Sequence, residues 1–391
     1  MHMVRERYLT PSILEDLKEK MVFLGGPRQV GKTTLAVDII GPHFASRAFN
    51  WDKLSERKAA LKGEWPGDCN LIILDEFHKS KKWRSWIKGE YDTQKSRLRF
   101  MLTGSARMNV YRKGGDSLQG RYHYFRLHPF SVAEILSLKP PGIPFQPLQF
   151  AEKGNWDDLE ALFQFGGFPD PFLRQNGRHW RRWGQERLER FFREDVRDLT
   201  QIQDMANLNL LADLLPERVG SVLSINSLAE DLQVNFRTVA RWLDIFEELF
   251  YCFRIPPYRS RKIASVKKEK KLYLWDWSQV KDEGARWENL VASHLLKFCH
   301  YLADVEGYRA ELYYLRDVTK RETDFLVTMD QRPWFAVEVK KSAEPPSPAL
   351  FYFKERLAVP FSYQVAARTD KNCLNKGIHL LPASLFLTAL V

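Results

Sequence analysis

Cysteine is scarce in this chain of 391 residues: four in all, at positions 69, 252, 299 and 373, with no C-x-x-C pair among them. That spacing excludes a disulfide framework and a cysteine zinc site, and it suits a reducing cytoplasm. Long apolar runs are missing too. No stretch of about 20 apolar residues occurs, and Met1 to Lys20 alternates charged and apolar residues without a core of signal-peptide length, so neither a membrane span nor ordinary secretion is expected. Internal repeats and low-complexity tails are absent. Acidic residues fall short of basic ones, 49 against 60, which leaves a net charge of +11. An anionic partner follows as the expectation, nucleic acid ahead of a membrane surface. Length is not lacking: the chain is long enough for two or three domains, each with its own core.

What is present starts with Gly26-Pro27-Arg28-Gln29-Val30-Gly31-Lys32-Thr33, a full G-x-x-x-x-G-K-[ST] phosphate loop followed by Thr34. Met21 to Leu24 reads as a buried strand before it and Thr34 to Ile40 as a helix after it, the context the motif requires. Backbone amides curl around phosphates there, the helix N-terminus adds partial positive charge, Lys32 reaches the β- and γ-phosphates, and Thr33 ligates Mg²⁺. Ahead of it, Leu9 to Lys20 reads as an amphipathic helix with Thr10 as cap and Pro11 at the first helical position.

A second motif completes the first. Leu71-Ile72-Ile73-Leu74-Asp75-Glu76 is an apolar strand ending in two acids. Asp75 at the strand tip suits Mg²⁺ through water, and Glu76 is placed to orient or deprotonate an attacking water. The strand Leu98 to Ser105 offers Ser105 as a sensor of the γ-phosphate. Arg121, before the strand Tyr122 to Leu127, is read either as an arginine finger acting in cis or in trans or as a surface arginine.

These stretches, with Leu-Asp-Glu-Phe-His-Lys around Glu76, Leu-Thr-Gly-Ser-Ala from Leu102, and His128-Pro129-Phe130-Ser131, resemble the prokaryotic AAA-type ATPases that carry a DUF4143 C-terminal region. Phe165-Gly166-Gly167-Phe168-Pro169, the acidic stretch from Glu194 to Leu199, Trp287 to Val291 and Glu338-Val339-Lys340 continue the likeness down nearly the whole chain. The resemblance implies an AAA-type core, a winged-helix segment and a nuclease-like C-terminal domain. Sites of AAA type usually lie between subunits, so the resemblance implies self-association, with a hexameric ring as the expectation and Arg121 or Arg107 completing the site in trans.

Beyond the proline-rich stretch Lys139 to Pro147, the segment Trp156 to Leu215 reads as mostly helical. Its His179-Trp180-Arg181-Arg182-Trp183 suits either phosphate contact and base stacking or packed tryptophans with solvated, ion-paired arginines. Ser227-Leu228-Ala229-Glu230 has the spacing of a capping box, and Phe236 to Leu249 carries one apolar face: a helix-turn-helix pattern. Arg237 and Arg241, with Thr238, lie on the other face of the second helix, where a recognition helix meets a groove. Two strands follow, Phe250 to Ile255 and Lys271 to Trp275. Between them Arg259, Arg261, Lys262, Lys267, Lys268 and Lys270 make a basic hairpin suited to salt-sensitive phosphate binding.

In the last segment a helix Ala285 to Phe298 bears Glu288, and the paired strands Thr323 to Met329 and Trp334 to Lys340 carry Asp324 and Glu338, with Asp330 to Pro333 as the turn between them. Glu338-Val339-Lys340 is an E-x-K triplet whose charged chains share one side of the strand. Together these resemble the PD-(D/E)xK nuclease core, with Thr323 in place of the proline. In that reading Asp324 and Glu338 bind Mg²⁺, Lys340 positions the hydrolytic water, Glu288 is an accessory acid, and Glu322 is an alternative ligand. Such a domain either cleaves DNA or only binds it.

The chain is therefore expected to be α/β. A P-loop AAA-type parallel-sheet ATPase domain (1–138) precedes a helical lid-like region (150–215), a winged-helix segment (216–277) and a restriction-endonuclease-like α/β domain (284–391). The expected function is an ATP- and Mg²⁺-dependent, DNA-binding motor or remodeller, with branched or four-way junction DNA as a reasonable substrate and metal-dependent cleavage as a further activity. The alternative is a nucleotide-switched DNA-binding regulator or scaffold with slow turnover and no nuclease activity.

Overall fold

The structure is a computed structural model that describes residues 5–80, 82–104, 118–138, 144–196, 204–260, 263 and 269–391. Its contacts divide it into two compact units, one of Met1–His128 with Glu248–Phe250, the other of Pro129–Glu247 with Tyr251–Val391.

The first unit is built on five short parallel strands: β1 (Met21–Gly25), β2 (Ser46–Asn50), β3 (Leu71–Asp75), β4 (Arg99–Thr103) and β5 (Tyr122–Arg126), in the order β2-β3-β4-β1-β5. β1 and β3 are buried along their whole length, as continuous apolar runs demand in a parallel sheet covered on both faces. Because β4 lies between β1 and β3, the polar tips of all three strands converge at one end of the sheet. The helix after β1 starts as an α-turn at Lys32–Thr34 and widens into π geometry over Leu35–Ile40. The leading helix runs only from Thr10 to Asp16, and its N-cap is Leu9. Thr10 does not cap it; its hydroxyl accepts instead from the Arg7 amide at 3.3 Å.

In the second unit, helices Trp156–Phe165, Pro169–Arg174, Gly177–Arg190 and Met205–Leu214 precede a helix pair, Ile225–Asp231 and Phe236–Glu248. Ser224, not Ser227, caps the first of that pair, accepting from the Ser227 amide at 3.2 Å. An antiparallel hairpin follows, β6 (Cys252–Ile255) with β7 (Lys271–Leu274). In the tryptophan-arginine stretch the tryptophans face inward while Arg181 and Arg182 stay exposed. Trp183 is buried, Trp180 donates to Ser278 at 2.9 Å, and the Arg187 guanidinium lies 4.1 Å from the Phe168 ring centroid. The Gly-Gly-Phe-Pro signature has a steric cause: Gly166 has φ +78°, and a Cβ on Gly167 would stand 2.6 Å from the Phe130 carbonyl and 2.7 Å from Trp277.

The unit ends in a mixed six-stranded sheet, order β12-β13-β11-β10-β9-β8. Its strands are β8 (Ala310–Arg316), β9 (Glu322–Met329), β10 (Arg332–Ser342), β11 (Phe361–Arg368), β12 (Cys373–Asn375) and β13 (Ile378–Pro382). The 22-residue helix Glu283–Asp304, capped by Asp282, precedes β8, and the helix Pro348–Leu357 links β10 to its parallel neighbour β11. The β9–β10 turn is shorter than expected: Asp330 and Gln331 alone make it, with φ of 50° and 65°, the positive values a tight hairpin turn requires. Pro333 lies within β10, beside a register shift where the missing amide donor is tolerated.

Candidate functional site

At the strand tips of the first unit, the phosphate loop is shaped by Gly26 (φ +150°), Gln29 (φ 62°) and Gly31 (φ +97°). Lys32 is buried and donates to the carbonyls of Gly26 at 3.0 Å and Pro27 at 2.7 Å, so its ammonium is held inside the loop curve. Thr33 and Thr34 remain exposed at the helix start, Val30 is buried, and Pro27, Arg28 and Gln29 complete the curve. Buried Arg7, which sequence patterning gave no reason to single out, braces the loop from behind. Its guanidinium donates to the Val30 carbonyl at 2.9 Å and the His128 carbonyl at 2.7 Å.

The second acidic strand meets this loop directly. Thr33 Oγ1 donates to Asp75 Oδ2 at 3.2 Å, Asn50 Nδ2 donates to the same oxygen at 3.1 Å, and the Thr103 hydroxyl donates to Oδ1. Burial pushes the Asp75 carboxyl above its usual range, against the hydrogen bond from Thr103. Thr33 and Asp75 thus present two hard oxygens side by side, a donor pair that fits Mg²⁺. Glu76 sits in left-handed backbone (φ 61°), fixed by its amide bond to the Thr103 carbonyl at 3.0 Å. Among the described residues its buried Oε2 has no hydrogen-bond partner; it lies 3.6 Å from Lys79 Nζ and 3.7 Å from His78 Nε2. Asn50 and Thr103 are the polar residues that close β2 and β4, a signal present in the sequence.

Ser105 and Arg107 lie outside the described residues. Arg121 precedes β5 at the opposite end of the sheet from the phosphate loop, since Met21 pairs with Tyr122 while Gly25 pairs with Arg126. Its guanidinium grips Asp92 with both arms, at 2.8 and 3.1 Å, so the structure does not bring it to its own nucleotide site.

On the helix pair of the second unit, Arg237 and Arg241 are exposed, with Thr238 half-buried between them. Arg259 is exposed and Lys270 half-buried at the two ends of the hairpin loop, while Arg261, Lys262, Lys267 and Lys268 lie outside the described residues.

The C-terminal acids do come together, but around a different cation from the one expected. Asp324 on β9 and Glu338 on β10 are cross-strand neighbours, and Glu288 approaches from the long helix. Among them lies Lys271, the first residue of β7 and 1% exposed. Its Nζ is 2.7 Å from Glu322 Oε1, 3.1 Å from Glu288 Oε1 and 3.4 Å from Asp324 Oδ1. Tyr273 also donates to Glu288, at 2.7 Å, and Asp324 Oδ2 accepts from the Val339 amide at 2.9 Å. Glu338 pairs with Lys340 at 2.9 Å, leaving Oε2 buried without a hydrogen-bond partner. Burial and the Asp324 charge raise Glu338 to about 8 and Glu288 to about 7. Among the described residues no group of three or more acids, histidines or cysteines is arranged to hold a metal ion. Asp324, Glu338 and Glu288, expected as Mg²⁺ ligands, are met here by the ammonium groups of Lys271 and Lys340.

Similarity to known proteins follows the same division. Residues 18–136 match the AAA domain family, residues 157–280 a domain of unknown function, DUF8612, and residues 283–386 another, DUF4143. The middle of the chain therefore matches a family separate from DUF4143. An uncharacterized protein of Mycobacterium tuberculosis is 23% identical over 346 residues, covering 83% of this chain and 71% of its own length. One from Methanocaldococcus jannaschii is 25% identical over 340 residues, with 73% and 70% covered. Among solved structures, a Walker-type ATPase of Pyrococcus abyssi aligns with TM-score 0.40 at 12% identity, over 71% of this chain and 94% of that one. A RuvB variant of Thermotoga maritima aligns with TM-score 0.32 at 16% identity, over 65% and 94%. Among the described residues no helix is long and apolar enough to cross a membrane. An AAA domain at the N-terminal end and a DUF4143 domain at the C-terminal end fit the arrangement of an AAA-type ATPase with a C-terminal DUF4143 region.

Proposed function

We propose that this protein hydrolyses ATP to drive the binding or remodelling of DNA. The observation that carries the hydrolytic half is the Thr33–Asp75–Thr103 network beside Glu76. In this reading Lys32 leaves the Gly26 and Pro27 carbonyls for the β- and γ-phosphates, and the loop amides hold the anion. Thr33 and Asp75 would hold Mg²⁺, which would supply charge neutralisation at the phosphates. Glu76 orients the attacking water and takes its proton; its free buried oxygen and rigid backbone suit that task.

Support for DNA as the partner comes from the second unit. A helix pair followed by a two-stranded hairpin is the element order of a winged helix, and Arg237 and Arg241 project from its second helix into solvent. Residues with many phosphate contacts give affinity that falls steeply with salt. Branched or four-way junction DNA is the substrate this reading favours, because more than one basic surface occurs on one chain. Assembly into a ring, in a cytoplasmic setting, belongs to the same proposal. Strand cleavage is left out of it on one observation, the Lys271 ammonium among the C-terminal acids.

A second reading, a nucleotide-switched DNA-binding regulator with slow turnover, draws on that same absence of nuclease chemistry. Glu76 separates the two, because a switch needs no water-activating acid. The test is ATP hydrolysis by wild type and Glu76→Gln with no DNA, duplex, single strand and a four-way junction. Stimulation by one DNA form, lost in the variant, supports the motor; turnover indifferent to DNA, with DNA bound only in one nucleotide state, supports the switch; no DNA binding in any state removes both.

A further inference from the structure

The acids of the C-terminal sheet carry a second consequence. We propose that Lys271 is the resident cation of this cluster, so that the pocket anchors the β6–β7 hairpin and does not recruit a divalent ion. A primary ammonium has three N–H donors and no acceptor. Lys271 meets three separate carboxylates, Glu322, Glu288 and Asp324, at 2.7, 3.1 and 3.4 Å, so its donor capacity is fully used. Burial opposes its charge, yet the surrounding acids hold its ammonium well above its ordinary range, and it stays protonated.

The backbone keeps the side chain there. Lys271 pairs with Ile255 in the hairpin and bridges to Val222, so the strand cannot withdraw without breaking its ladder. Strand alternation points Lys271 and Tyr273 to one face, and both reach Glu288. On the opposite side Gly220 (φ +75°) closes over Glu288, with the site of a Cβ only 3.1 Å from Oε2. A magnesium ion asks for near-octahedral oxygen ligands at about 2.0–2.1 Å and keeps several waters. Here the central position already carries a positive charge covalently tied to the fold, and Lys340 neutralises the remaining acid, Glu338. Glu338 Oε2, buried with no hydrogen-bond partner among the described residues, does not by itself make a coordination shell.

The inference is independent of ATP turnover and of DNA binding, and its test avoids both. Mn²⁺ binding is followed by its paramagnetic resonance signal, without nucleotide, in full-length wild type, Asp324→Asn, Lys271→Met and the Lys271→Met/Asp324→Asn pair. Wild type and Asp324→Asn are expected to bind Mn²⁺ identically. Lys271→Met is expected to gain a site at least tenfold tighter than any wild-type background, lost again in the double variant, together with faster amide exchange over Lys271–Leu274. Wild-type Mn²⁺ binding that disappears in Asp324→Asn, or Mn²⁺-dependent DNA nicking that disappears with it, overturns the proposal. Should Lys271→Met fail to fold, the wild-type and Asp324→Asn titrations decide alone.

Discussion

Two clusters of acids occur in this chain, and they differ in what faces them. Asp75 is held by uncharged donors from Thr33, Thr103 and Asn50, while the nearby Lys32 is occupied with backbone carbonyls. Glu288, Glu322 and Asp324 are held by a buried ammonium. Neutral donors can reorganise when a metal-bound nucleotide arrives; a lysine fixed in a β-ladder cannot. Two sets of acids with the right spacing therefore lead to different chemistry, and the nearest cation decides which.

The sharpest way to break this contrast is to neutralise one acid in each place. Glu76→Gln is expected to lower the turnover of ATP by about 10²–10⁴ with nucleotide binding retained, the usual yield of a lost general base. Glu338→Gln is expected to leave turnover unchanged in the same steady-state assay. Equal losses in both would end the distinction.

Removing each lysine gives the next largest effect. Lys271→Met should cost roughly 3–5 kcal/mol of stability, because buried carboxylates lose their partner, and urea unfolding measures it. Lys32→Met should unfold close to wild type yet fail to bind ATP, since the hydrogen bonds it gives up to Gly26 and Pro27 go to neutral carbonyls. Arg7→Ala should be intermediate, about 2–3 kcal/mol, with a raised KM for ATP as the loop loses its brace.

A pH series sharpens the picture further. Burial and Asp324 raise Glu338 to about 8 in the folded state, above the unfolded value of 4.5. As pH climbs from 4.5 towards 8 the unfolded chain releases this proton while the folded chain keeps it, so stability falls over that window. Glu338→Gln should flatten the slope of the urea midpoint against pH between 5 and 8. The smallest expected effect belongs to Arg121→Ala: unchanged turnover, because Arg121 is engaged with Asp92 away from the strand tips. Abolished hydrolysis with nucleotide still bound would restore an arginine acting between subunits.

The phosphate loop and the Asp75–Glu76 strand were legible because their spacing is local: a strand, a turn and a helix dictate it within a few residues. The bracing by Arg7 was not, since Val30 and His128 meet it only after β1 and β5 pair. Lys271 was hidden for a related reason. A lysine opening the apolar run Leu272-Tyr273-Leu274 reads as a solvated strand end, and the acids that bury it lie on two other elements, the helix Glu283–Asp304 and β9. The capping box misled by three residues because Ser224 and Ser227 both satisfy its chemistry, and only the backbone selects Ser224. The place of Arg121 was not legible, because a sequence position next to a strand does not say which end of the sheet it occupies.

The packing behind the phosphate loop bears on how relatives can vary. A Cβ on Gly25 would fall 2.0 Å from the Tyr124 hydroxyl, and one on Gly26 would fall 2.5 Å from the Leu127 carbonyl. Gly25 stands outside the G-x-x-x-x-G-K-[ST] pattern, yet it is as closely confined as the glycine that opens it. The two collisions differ in kind: the first is with a side chain that mutation can shorten, the second with backbone that it cannot. Position 25 should therefore drift only in step with position 124, a larger residue at one accompanied by a smaller one at the other, while position 26 stays glycine whatever happens around it.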